Sequence, residues 1–153
     1  MTQPQEHDLH RLTYLSSAPD YVSQEQLDAI LEAARTNNPR HHVTGLLLYH
    51  DRQFFQTLEG PRPQVEEVFA RIKTDPRHRG CLVLESRSVE SRFFDKWSMA
   101  YKSVSGLGAA EKRNFLDLTG VRGRYAASEP GDNARARILM DSFLSSLRDV
   151  DLN

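Results

Sequence analysis

Hydrophobic and polar positions along the chain fall into alternating strand and helix periods. From Leu9 to Ser16 the residues alternate well enough for a first strand, with His10, Leu12 and Tyr14 on one face. Ser23 and Gln26 form a capping box before Leu27, Ile30, Leu31 and Ala34, whose i, i+3, i+4, i+7 spacing makes one apolar helical stripe. That helix is expected to end at Asn37-Asn38-Pro39, because the residue before a proline is pushed out of the helical region. Thr44–His50 and Arg52–Glu59 read as a hairpin turning near Asp51, and Gly60-Pro61-Arg62-Pro63 then opens a second helix. In that helix Val65, Val68, Phe69 and Ile72 repeat the same spacing, and it halts before Pro76. Cys81–Ser86 and Phe93–Tyr101 complete the strands, the last with Trp97, Met99 and Tyr101 on one face. The order is βαββαββ, an α+β arrangement: a single sheet with both helices on one face and the other face free.

Past Lys102 the pattern changes. Ser103–Gly108 reads as a flexible connection, Ala109–Thr119 as a short helix ended by Gly120, and residues 123–131 as loop. Asp132 or Asn133 can cap a last helix with Ala136, Met140, Phe143, Leu144 and Leu147 in an apolar stripe. The stripe needs a surface to cover, either the free sheet face or a partner subunit. The expected division is a domain over residues 9–102 and a helical extension over residues 103–153.

Composition narrows the class. The chain has 153 residues, 39% hydrophobic and 27% charged, which suits one domain with a real core. Its 20 basic and 21 acidic residues, balanced in the last third as well, argue against nucleic acid as a partner. No apolar run is long enough to span a membrane, and the polar start MTQPQEHDLH has no signal-peptide core, so a cytoplasmic protein that uses no membrane is expected. The single cysteine, Cys81, excludes an internal disulfide and fits a reducing compartment.

The candidate chemistry lies in polar residues that the period turns inward. Phe54, Gln56 and Leu58 point the same way along their strand, so an amide sits among apolar side chains. Burying an unpaired amide costs on the order of 1–3 kcal/mol, so Gln56 needs a partner offering both a donor and an acceptor. Tyr14 on the first strand, Asn37 and Asn38 at the end of the first helix, and Arg71 and Asp75 on the second are the other inward polar positions. Each has an ordinary structural explanation: a core tyrosine bonded to a glutamine, an asparagine stopping a helix, an i, i+4 ion pair. Taken together they would edge a planar ligand between the helices, one whose ring carries alternating carbonyl and N–H groups. His41-His42 is a solvated loop rather than a metal site, since adjacent side chains diverge and no ligand-spaced partner follows.

The motifs LTYLS around Tyr14, ILEAARTNN ending at Asn38, TGLLLYHDRQFFQTLEG, DPRH from Asp75 to His78, and RFFDKWSM ending at Met99 occur in one order. In this the chain resembles the BLUF family of blue-light sensors using flavin, over Leu12–Met99. The resemblance implies a ferredoxin-like fold with a five-stranded mixed sheet, two helices on one face and added C-terminal helices, carrying FAD or FMN between the helices. It further implies that Tyr14 is the electron and proton donor and Gln56 the switch between tyrosine and flavin. Asn38 would bond the C4 carbonyl side of the ring. Asn37, Arg71, Asp75 and His78 would make further contacts at or near its pyrimidine edge, Ile30 and Phe54 would pack on it, and Trp97 and Met99 would relay the change through the fifth strand. The hairpin turn departs from the family pattern, with Arg52 where glycine is frequent.

On this reading the amide flips or tautomerises after light absorption and no net chemistry occurs, so the protein is not an enzyme. A short stand-alone sensor is expected, with no metal, a homo-oligomeric state, and a downstream protein partner reached by contact. A flavin oxidoreductase using nicotinamide is disfavoured, because no G-x-G-x-x-G follows a strand. A colourless ferredoxin-like module, a small phosphatase or a ligand-sensing domain, shares the element order. Absorbance in the blue separates it from the flavin reading.

Overall fold

The structure is a computed structural model and describes residues 8–94 and 98–103, with Ala109 and Arg113. Its elements are β1 (Leu9–Ser17), α1 (Gln24–Asn37), a short 3-10 helix (Asn38–His41), β2 (Thr44–His50), β3 (Gln53–Pro61), α2 (Arg62–Thr74), β4 (Arg79–Ser88) and β5 (Ala100–Ser103). The strands form one sheet in the order β4-β1-β3-β2-β5. The β1–β3, β1–β4 and β2–β3 pairs are antiparallel, and β5 runs parallel to β2.

Local chemistry sets most of the boundaries. The Ser23 side chain accepts from the Gln26 N–H while the Gln26 side chain accepts from the Ser23 N–H, which closes the capping box of α1. At the other end Asn38 keeps helical angles, φ −60° and ψ −41°, although it precedes Pro39. α1 itself ends at Asn37, where the sequence places its end, and the chain continues through Asn38 into the 3-10 helix, with the Asn38 carbonyl accepting the Val43 N–H at 2.9 Å. The chain then reverses at His42, in the left-handed region at φ 57°.

Leu27 and Leu31 of α1 and Val65, Val68 and Phe69 of α2 share one buried cluster with Leu12, Tyr14, Leu47, Phe54 and Leu58 of the sheet. Both helices therefore cover the same sheet face. Each such side chain contributes about 1.5–3 kcal/mol on burial. On the opposite face, which the two helices leave free and which the sequence offered as a surface for the C-terminal stripe, Leu9, Leu15, Leu46, Leu48 and Phe55 are 1% exposed or less. The apolar stripe of residues 136–147 predicted to seek such a surface lies outside the described residues, as do the predicted C-terminal helices apart from Ala109 and Arg113.

The fifth strand begins later than its sequence suggested. The backbone N–H groups of Phe93 and Phe94 donate to the Glu59 carboxylate, with distances of 2.8–3.0 Å. The Arg92 guanidinium bonds the His42 and Glu59 carbonyls and the Thr44 hydroxyl. With their N–H groups engaged by a side chain, Phe93 and Phe94 cannot enter a ladder, and pairing with β2 starts at Ala100 opposite Leu46.

Candidate functional site

Antiparallel pairing of β1 with β3 puts Tyr14 directly across from Gln56, and both side chains stand on the helix-covered face. The Tyr14 hydroxyl donates to Gln56 Oε1, and Gln56 Nε2 donates to the Met99 thioether at 3.5 Å. The buried amide thus has a partner on each side, as its place among apolar neighbours demands. Burial holds the Tyr14 phenol well above its ordinary pKa, with Cys81 and Asp75 adding to the effect, so it remains a neutral O–H donor. Tyr14 packs on Phe69 with ring centroids 5.0 Å apart.

A cleft opens above this pair, between the two helices. Its walls are Ile30, Ala33 and Ala34 of α1 and Val68 and Ile72 of α2, and Leu47 and Gln56 form its floor. Asn37, Asn38, His41, Arg71, Asp75, Arg77 and His78 supply the polar rim. Its cavity volume is about 160 Å³, below the roughly 300–1,000 Å³ usual for small-molecule sites, so a larger ligand would extend out through its open mouth. Apolar walls, two alanines that leave room for a flat ring, and amide, carboxylate and guanidinium groups at the edge fit a flavin.

Asn38 is 3% exposed, donates through Nδ2 to the Ser98 carbonyl at 2.8 Å, and lines the cleft. After α2 the chain turns back, with the Arg77 N–H bonding Asp75 Oδ1 at 2.9 Å and the His78 N–H bonding the Asp75 carbonyl at 3.0 Å. Arg77 grips the Asp75 carboxylate through Nε and Nη2, the shorter contact being 2.6 Å, and lowers its pKa. His78 hydrogen-bonds Ser16 Oγ through Nδ1 at 2.8 Å, and burial brings its pKa to about 4 against the opposing pull of Asp75. It is neutral near pH 7.

Ile30, Asn37, Asn38, Gln56, Arg71, Asp75 and His78, singled out in the sequence, therefore meet around one cleft. Phe54 does not line it. Fully buried, it is packed between Tyr49 and His78, with ring centroids 4.9 and 4.7 Å away and the rings tilted by 45°. Tyr14 likewise lies beneath the cleft and reaches it through Gln56. Arg71 is bonded to Glu67 on the exposed side of α2. Trp97 lies outside the described residues. Arg77 was not expected from the sequence: the i, i+4 spacing suggests an Arg71–Asp75 helix pair, whereas Arg71 pairs with Glu67 and Asp75 with Arg77 in the turn after α2. Among the described residues no cluster of three or more metal-ligating side chains occurs, and no helix is long and apolar enough to cross a membrane.

Comparison with known proteins places these features in a family. A family model described as sensors of blue-light using FAD matches residues 9–100. The photoactivated adenylate cyclase subunit alpha of Euglena gracilis is 36% identical over 104 residues, which is 67% of this chain and 10% of that protein. The chain thus spans about a tenth of the length of that relative. The dark-state structure of the BLUF protein BlrB superposes with a TM-score of 0.72 at 31% identity, covering 93% of this chain and 99% of the other. Klebsiella pneumoniae BlrP1 with FMN and cyclic diGMP superposes with a TM-score of 0.63 at 30% identity, over 90% of this chain and 34% of that one.

Proposed function

The chain belongs to the BLUF family of blue-light sensors using FAD, and from that premise we propose that Tyr14, Gln56 and Met99 form its light-driven switch. It is a flavin-based photoreceptor, and flavin, as FAD or FMN, supplies blue absorption and an excited state that is a strong oxidant. The unit from residue 9 to the end of β5, which takes in Ser103, is the sensor, catalysing no turnover, and the residues after it are its extension.

The observation that carries this reading is the amide held between a phenol and a thioether. In the arrangement described, the Gln56 carbonyl accepts a hydrogen bond from the Tyr14 O–H and the Gln56 NH₂ group faces Met99. Rotating or tautomerising the amide exchanges acceptor for donor on each side. Tyr14 then meets a donor, and Met99 Sδ, itself only an acceptor, meets another acceptor: the amide oxygen after rotation, the imine nitrogen after tautomerisation. One local rearrangement therefore both rewires the tyrosine and removes a hold on Met99, the last residue before β5. Asn38, Asp75 and Arg77 orient the flavin edge, while Ile30, Ala34 and Ile72 exclude water from its faces. The signal leaves by altered contact with a partner protein, through the segment Met99 belongs to.

The test is the light-minus-dark spectrum of flavin-loaded variants. The parent protein should be yellow, carry one flavin per chain and show a redshift under blue light that decays in the dark. Gln56→Leu and Tyr14→Phe should each retain flavin and lose the normal redshifted state, whereas Asn38→Ala should alter binding or recovery and keep some photocycle. A normal redshift in flavin-loaded Gln56→Leu would overturn the switch.

A further inference from the structure

Met99 is held by more than the amide it faces. Its backbone carbonyl accepts a hydrogen bond from Arg35 Nε at 3.1 Å, and the carbonyl just before it, on Ser98, accepts from Asn38 Nδ2. Both donors come from the C-terminal end of α1, three positions apart, Asn38 being its cap: Asn38 is buried and lines the cleft, and Arg35 is exposed. The Met99 side chain is 1% exposed and passes over Gly45, where a Cβ would stand 3.4 Å from its terminal methyl. Met99 is therefore fixed by its backbone from α1, by its methyl against β2, and by its sulfur to Gln56.

We propose that Arg35 is a positioning residue for the switch, keeping Met99 where its sulfur can receive the Gln56 amide and so setting how fast the light state returns to the dark state. The proposal rests on the photoreceptor reading above. Its logic follows from donor and acceptor count. When the amide turns its carbonyl toward Met99, two acceptors face each other and relief requires the methionine to shift. The Arg35 bond opposes that shift, makes the exchanged arrangement less favourable and favours return. Asn38 holds the neighbouring carbonyl but also lines the cleft, so its loss would disturb the cofactor as well. Arg35 is not among the residues lining the cleft; it lines a separate open groove along α1 with Asp28, Leu31, Glu32 and Thr36, and can be changed without removing a residue of the cleft.

The experiment measures dark recovery after a blue pulse in the flavin-loaded full chain, with dark spectrum and melting temperature recorded alongside. Arg35→Ala is expected to bind flavin, redshift normally and recover roughly two- to tenfold more slowly, the rate effect of one ordinary hydrogen bond. Arg35→Lys, which retains a cationic donor, should return most of the rate, and Glu32→Gln, in the same groove, should leave it unchanged. In a Met99→Leu background the Arg35→Ala change should add nothing, since the sulfur it acts through is gone. Unchanged recovery in Arg35→Ala, or an equal slowing in the Met99→Leu background, would overturn the positioning role and leave the photoreceptor reading intact. Absence of any redshift in the parent protein would instead overturn that reading.

Discussion

Glu59→Gln is the most searching perturbation of the frame behind the proposed switch. Glu59 is fully buried and accepts from the N–H groups of Phe93 and Phe94 and from Arg11 Nε at 2.8 Å. Arg11 is itself 3% exposed and lies with its guanidinium carbon 3.6 Å from the centroid of the Phe93 ring. Glutamine has nearly the same shape as glutamate, so packing is preserved and only charge and hydrogen bonding change. The Arg11 charge loses its buried partner, and one amide N–H group must face a donor. Breaking a buried ion pair from one side costs about 3–5 kcal/mol, against a total domain stability of about 5–15 kcal/mol. A loss of about 3–4 kcal/mol is expected, or roughly 10 °C in melting temperature at this chain length. Urea and thermal unfolding in the dark, at matched flavin occupancy, measure it. Adding Arg11→Met should recover part of the loss by removing the stranded charge. A loss below about 1 kcal/mol, or a double variant as unstable as the sum of its parts, would show that Glu59 does not anchor the segment leading to Met99.

Two further expectations concern stability. Asp51 and Arg52 turn the β2–β3 hairpin at φ 47° and 64°, a conformation costing an ordinary residue about 1–2 kcal/mol, of which glycine's extra unfolded-state freedom takes back about 0.4–1. Arg52→Gly should therefore raise the urea midpoint by the equivalent of about 0.5–1 kcal/mol, and a lowered midpoint would refute the turn assignment. Acid should act through His78, whose folded pKa of about 4 lies below its ordinary 6.5. The unfolded chain then binds the extra proton first, so stability should fall as pH drops from about 6.5 to about 4, by at most roughly 3 kcal/mol from this residue. His10, lowered by burial and by Arg62, acts in the same direction. His78→Gln should flatten the decline, and an identical slope in that variant would refute the assignment. Asp75, held low by Arg77, keeps its contribution until the pH falls below its ordinary carboxylate range.

The central pair was legible because a two-residue period is enough to place an amide between Phe54 and Leu58, and a buried amide demands a partner. The structure supplies Tyr14 from the strand directly opposite. The helices were legible from the capping box at Ser23 and from two apolar stripes. What escaped the sequence depends on contacts between distant residues. Nothing local to Phe93 announces that Glu59, more than thirty positions earlier, captures its N–H. Nothing local to Arg77 shows that the turn closed by Asp75 folds it back over the cleft. Asn38 stays helical before a proline because the 3-10 helix gives its carbonyl a donor from Val43.

The parallel pairing of β5 with β2 has a consequence for the order in which the sheet assembles and comes apart. At four residues it is the shortest of the described strands, its described ladder runs along β2 alone, and a long stretch of chain separates Leu46 from Ala100. A hairpin such as β2–β3 closes a two-residue loop, whereas β5 must wait for its whole intervening chain to be placed. It should dock last and detach first, exchanging its backbone amide protons ahead of those of β1 and β3. The strand that follows Met99 thus occupies the lowest rung of the local stability ladder, where a free-energy change the size of one rearranged hydrogen bond is enough to alter its population.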